Sequence, residues 1–254
     1  MLTLTAAPLC AHVLYLAPRK FRVAPGETLV VAVHNGDAFP ASEDAVDPKR
    51  LLDARLVNGA STAPIGGFRI VGKATEGAVL VERAGTQYLA LRTATRVLEL
   101  PAARFENYLK GEGLDHVVAW RARNGESAKP GRERYSKYAK SVVMAGTPGD
   151  GWSQPLGLAI EFVPERDPAT LRVGDSLPVR VVWRGKPAAG LQVECAWSAG
   201  GGRVAGRTDA QGRVRVLLDK AGKWRLHAVA IERVVDSAEV EWESYWASFT
   251  FEVR

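Results

Sequence analysis

Along most of the chain, apolar residues recur at every second position in short stretches that end at Gly or Pro. A period of two predicts half-buried strands, and the Gly and Pro clusters predict the turns between them. Strands are expected at 12–17, 21–23, 28–34, 51–57, 67–71, 78–82, 86–91 and 96–100. A second run is expected at 158–163, 176–183, 191–197, 213–218, 224–231 and 247–253. Short strands at this spacing predict antiparallel sandwiches. In the last strand Tyr245, Ala247, Phe249, Phe251 and Val253 point one way. Trp246, Ser248 and Thr250 point the other way, which makes Trp246 a candidate for an outer or interdomain surface.

The stretch between the two runs differs. Pro101 stands where a helix can begin, and Phe105, Tyr108 and Leu109 have helical spacing. Residues 114–119 and 132–143 predict two further helical pieces around the turn-forming NGESAKPG. GTPGDGWSQP (146–155) reads as a linker. The expected fold is therefore mainly β, with two antiparallel β-sandwich domains of Ig-like or prealbumin-like type. The first covers 12–147 and carries a helical insertion at 102–144; the second covers 156–254.

The opening residues MLTLTAAPLCAH change the expected compartment. Residues 2–11 are apolar and small, which matches the back half of a secretory signal ending at a cleavage site after Ala11. No Lys or Arg precedes the run, so the expectation is a signal truncated at its front, an upstream start codon, and a mature chain beginning at His12. The alternative is an ordinary first strand, but Pro8 would remove a ladder donor from it. Pro8 and Leu9 do not make a lipobox for Cys10. The expected location is the periplasm. No other apolar run approaches the ~20 residues that span a bilayer.

Apolar residues make up 46% of the chain, enough for a full core without disulfide staples. The cysteines are Cys10 and Cys195, and the alternation in LQVECAW predicts a buried structural Cys195. The net charge of +6 is concentrated. Between Ala119 and Lys140 lie seven basic residues against two acidic ones, Glu126 and Glu133. Such a stretch is a solvated face or a patch for an anionic partner. Without a recognised nucleic-acid motif, no nucleic-acid partner is expected.

The chain lacks a Gly-x-Ser-x-Gly elbow, a His-Glu-x-x-His helix, a phosphate loop and a dinucleotide fingerprint, so no catalytic activity is expected. SAGGGR lacks the Lys-Ser/Thr of a phosphate loop and reads as a flexible hairpin. Metal binding is the sharper expectation. A mature N-terminal His12 offers an α-amine and a ring nitrogen, donors that suit Ni²⁺ or Cu²⁺. His34 is the expected partner ligand, at the end of a neighbouring strand, followed by the oxygen donors Asp37, Glu43, Asp44 and Asp47. The expected metal set is His12, His34 and Asp37. His116 and His227 are expected at the surface.

His12, Pro18, Phe21 and Gly26 form a spaced pattern at the front of the chain. With FENYLKGEGLDHVVAWRARNGESAKPGRERYSKYAKSVV, PLGLAIEFVPERDPATLRVGDSLPVRVVWRGKPAAG and WESYWASFTFEV, it resembles a family of bacterial exported proteins of undefined function. Its members are often labelled periplasmic nickel-uptake (NikM-type) components. The resemblance runs from His12 to the C-terminus. It implies an Ala-His pair at the cleavage site, a metal role and a membrane uptake component as partner. The chain departs from the pattern at Tyr15, where a Trp is usual, and at Ala230–Ile231, where a later histidine is usual. The alternative expectation is an envelope binding or scaffolding module that uses Trp246 and the basic stretch for a glycan, lipid or protein partner.

Overall fold

The computed structural model describes residues 12–254, so the expected cleavage site and Cys10 lie outside the described residues. The fold is mainly β, with two helices of more than one turn among the described residues. The first sheet has the order Leu14–Pro18, Glu27–Asn35, Ala74–Val81, Gly66–Val71. A third, small sheet joins Ile160–Pro164, Ser176–Trp183, Lys186–Pro187 and Arg213–Leu217. Between them runs a ten-stranded central sheet. Its path is Gly202–Arg207, Gln192–Trp197, Gly222–Arg233, Trp242–Val253, Gly131–Ala145, Gly85–Thr93, Leu51–Asn58, Ser61–Pro64. Arg22–Val23 and Arg96–Leu100 also pair with Gly131–Ala145.

The central sheet is continuous across the whole chain because Gly131–Ala145 and Trp242–Val253 pair in parallel. The first sheet packs on one face of it, burying Leu16, Val31, Leu89, Leu91, Ala139 and Val143. The third sheet packs on the opposite face, burying Phe162, Val179, Leu226, Phe249 and Phe251. Alternation along the last strand thus holds: Tyr245, Ala247, Phe249, Phe251 and Val253 all enter the second core.

The helical insertion is shorter than expected. Helix α1 (Ala102–Gly111) and helix α2 (Asp115–Arg123) are present, but residues 132–143 belong to the strand Gly131–Ala145. Tyr135, Tyr138, Ala139, Val142 and Val143 mimic a helical stripe by spacing, yet the segment has strands on both sides that claim its backbone. Helix α1 lays Phe105 and Leu109 on the sheet beside Trp246. Three further strands are unexpected, the two-residue Lys186–Pro187 among them. Ser61–Pro64 has weak alternation, and Gly202–Arg207 follows the Gly-rich SAGGGR. No helix among the described residues is long and apolar enough to cross a membrane.

Candidate metal centre

The edge strand Leu14–Pro18 lies across the central sheet, and polar side chains of that sheet hold its backbone, that of His12 before it and that of Gly36 in the turn after its partner strand. Thr250 Oγ1 donates to Leu16 O at 2.7 Å, Lys137 Nζ donates to His12 O, and Arg225 Nη1 donates to Gly36 O at 3.1 Å. The bond to Leu16 O satisfies a group that an uncovered edge would leave unpaired. Together the three bonds fix the position of His12.

Strand register then selects the partners of His12. Leu14 pairs with Asn35 and Tyr15 with His34. Continued two residues further, the same register places His12 opposite Asp37, and Val13 N donates to Asp37 Oδ1 at 3.4 Å. The chain turns back through residues 36–44, so that Glu43 and Asp44 both donate their N–H to Asn35 O. Gly36 suits this close fold-back, because a Cβ there would lie 3.0 Å from Glu43 N and 3.1 Å from Ala41 O and would push the two chains apart by a few tenths of an ångström.

His12, Asp37 and Glu43 each offer a ligand atom within 4.8 Å of the others. His12 Nε2 is 3.3 Å from Glu43 Oε2, and His12 Nδ1 is 3.6 Å from Asp44 Oδ2. Glu43 Oε1 accepts from Asp37 N at 2.8 Å and from Ala38 N at 3.3 Å. The Asp37 N–H holds the Glu43 carboxyl below the usual carboxylate range, which keeps it ionised as a ligand must be. Asn35 Nδ2 stands 3.5 Å from His12 Nδ1, and Lys137 Nζ donates to Asn35 Oδ1 at 3.2 Å.

His34 does not join this group. Alternation places it with Tyr15, on the face opposite to the one His12 shares with Leu14 and Asn35. Its Nδ1 is 3.0 Å from Pro40 O and 3.4 Å from Tyr15 Oη, and its ring meets the Tyr15 ring edge-on. Burial lowers its pKa. Of the expected set His12, His34 and Asp37, the structure brings together His12 and Asp37 and supplies Glu43 as the third donor. The signal for Glu43 was present as one of four carboxylates after His34, but nothing along the chain marked which of them folds back.

Comparison with known proteins places the chain. The model of the Domain of unknown function (DUF4198) matches residues 9–232, most of the chain. The chain belongs to the DUF4198 family. No curated protein matches it. Among solved structures it is similar to FdeC, an Escherichia coli adhesin, at 14% identity and a TM-score of 0.27, covering 96% of this chain and 65% of that one. It is also similar to the Yersinia pseudotuberculosis adhesin InvE, at 12% identity and a TM-score of 0.25, covering 94% of this chain and 58% of that one. A third is trypsin-activated alpha-2-macroglobulin from Escherichia coli, at 10% identity and a TM-score of 0.25, covering 98% and 16%. The chain thus spans less than two thirds of each of these structures, and scores this low carry no argument about function.

Other expected surface features of this DUF4198 chain are internal. Trp246 is 2% exposed, stacked on Tyr108 with ring centroids 5.6 Å apart, and its Nε1 donates to Ser244 Oγ. The helices cover the face that would otherwise expose it. His227 is likewise 2% exposed, with Nδ1 at 3.0 Å from Ala247 O and Nε2 at 3.1 Å from Glu112 Oε2. His116 is exposed and Cys195 is buried, as expected.

The basic stretch does not form one patch. Arg121, Lys137 and Lys140 are buried, and Arg132 and Arg134 pair with Glu241 and Glu243. The spacing of these residues on a sheet, rather than on a helix, sends alternate charges to opposite faces. Beneath them lies Glu133, fully buried, where Oε1 accepts from Ser244 Oγ at 2.9 Å and Tyr108 Oη at 3.3 Å. Burial pushes the Glu133 carboxyl up to about 7.

Proposed function

We propose that this chain is a non-catalytic binding protein for a divalent transition metal such as nickel, held by His12, Asp37 and Glu43. The convergence of these three donors within 4.8 Å, from the start of the first strand and from the fold-back that carries Asp37 and Glu43, carries the reading. One imidazole and two carboxylates suit borderline divalent ions, with at least one coordination position left for another ligand. In an exported chain cut after Ala11, the α-amine of His12 adds a second nitrogen, which favours Ni²⁺ or Cu²⁺ over harder ions. The role that fits is periplasmic metal handling, with transfer to a membrane uptake component.

Calorimetric titration of Ni²⁺ and Cu²⁺ into the full chain tests this. One-to-one binding is expected, weakened in Glu43→Gln by more than the roughly 10–100-fold typical of losing an outer-shell partner. Binding that survives Glu43→Gln and His12→Ala unchanged overturns the assignment.

A further inference from the structure

Asp37 has a second environment. Besides facing His12 and Glu43, it lines a cleft of about 570 Å³ together with Phe39, Glu194, Ala196, Arg203 and Arg225. That volume lies in the range that accepts a small organic ligand. The cleft is closed on one side by the loop that carries the metal donors, and on the other by the central-sheet strands Gln192–Trp197 and Gly202–Arg207.

Arg225 is its unusual wall. It is only 6% exposed, yet among the described residues the single hydrogen bond of its side chain is Nη1 to Gly36 O. Its Nε is buried without any partner. A guanidinium offers five donors in a planar fork, and donors buried without acceptors are costly; Asp37 and Glu194 act on its charge, yet neither accepts a hydrogen bond from it. The rings of Tyr15 and Phe39 lie 5.3 and 5.6 Å from its Cζ, covering its flanks and leaving the fork edge for a ligand. Arg203, by contrast, is already engaged by Asp219 and Leu217 O.

Charge decides when that fork can be used. Asp37 and Glu194 line the same cleft, so an anion entering the metal-free protein meets a carboxylate beside every cation. A divalent ion on His12, Asp37 and Glu43 reverses the field at Asp37. Because Asp37 belongs both to that donor set and to the cleft lining, a further ligand to the ion would lie beside the cleft.

We propose, building on the metal-binding reading above, that the protein takes its metal together with a small organic di- or tricarboxylate. One carboxylate completes the metal's coordination and a second is held by Arg225 in the adjoining cleft. Metal and organic acid then bind with positive coupling, and each raises the affinity for the other by the same factor.

Succinate is the probe, with acetate as the one-carboxylate control, titrated calorimetrically into the full chain with and without one equivalent of Ni²⁺. Succinate is expected to bind the Ni²⁺-loaded protein at least about tenfold more tightly than the metal-free protein. Arg225→Lys abolishes most of that gain, while acetate binding is indifferent to the substitution. Because Arg225 is buried, Val204→Trp is the second variant: it narrows the cleft from an exposed strand position and weakens succinate binding in the same way. Ni²⁺ binding without coupled succinate binding, or coupling that survives both variants, overturns the proposal and leaves the metal site standing. Absence of Ni²⁺ binding overturns the metal reading and the proposal together.

Discussion

Lys140 Nζ lies 3.1 Å from Glu161 Oε2, and both side chains are 1% exposed. The pair joins the central sheet to the third sheet, at the junction between the two halves of the chain. Lys140 also donates to Phe162 O at 3.0 Å and sits over the Tyr88 ring. Glu161 accepts from the N–H groups of Leu156, Gly157 and Leu158, which pins the segment that follows the expected linker.

Removing either partner alone strands a buried charge. Lys140→Met and Glu161→Gln are each expected to cost about 3–5 kcal/mol in urea unfolding at neutral pH. The double variant is expected to lose clearly less than the sum. Additive losses would show that the two groups do not act as a pair.

Glu133 makes stability depend on pH. Its carboxyl titrates at about 7 in the folded protein against an ordinary 4.5, mainly through burial. Lys137, Glu112, Tyr108 and Ser244 face it, and its Oε2 has no hydrogen-bond partner. The folded state therefore holds the proton more tightly than the unfolded chain. Its stabilising contribution is complete below about pH 4.5 and is lost as pH rises to about 7, a change of order 2–3 kcal/mol. Glu133→Gln is expected to flatten the urea midpoint across that window. A slope equal to the parent's would assign the pH dependence to other groups.

Above pH 7 the sign reverses at Lys137. Burial brings its ammonium down to about 7 from an ordinary 10.5, so the folded state releases a proton that the unfolded chain keeps. Stability is expected to recover between about pH 7 and 10.5, and the recovery should vanish in Lys137→Met. Midpoints measured from pH 7 to 10 check this.

Trp246 supports the helices rather than a ligand. Trp246→Ala is expected to cost about 3–5 kcal/mol, and Trp246→Phe, which keeps most of the stacking on Tyr108 but loses the bond to Ser244, about 1–2. A near-neutral alanine variant would contradict its burial.

How far the sequence reveals this molecule depends on the kind of information involved. Strand existence followed from alternation and turn residues, since both are local. The fate of 132–143 was not local: Tyr135, Tyr138, Ala139, Val142 and Val143 satisfy helical spacing, and only pairing with 242–253 and 85–100 selects the strand. The buried charges Glu133, Lys137 and Lys140 hid the strand further, because buried positions normally read as apolar. At the site, His12 and Asp37 were legible as donors. His34 was the expected partner because it ends a strand that neighbours the first; the strands do pair, but register puts His34 opposite Tyr15, and the fold-back at Gly36 brings in Glu43 instead.

The two histidines separate the expectation from the structure. His34→Ala is expected to leave Ni²⁺ affinity within about twofold and to cost about 1 kcal/mol of stability through the lost contact with Pro40 O. The most direct measurement of the central claim is X-ray absorption at the nickel edge on the Ni²⁺-loaded full chain and these two variants. One imidazole in a shell of oxygen and nitrogen donors is predicted, retained in His34→Ala and lost in His12→Ala. An imidazole signal that persists without His12, or that requires His34, would contradict the site built from His12, Asp37 and Glu43.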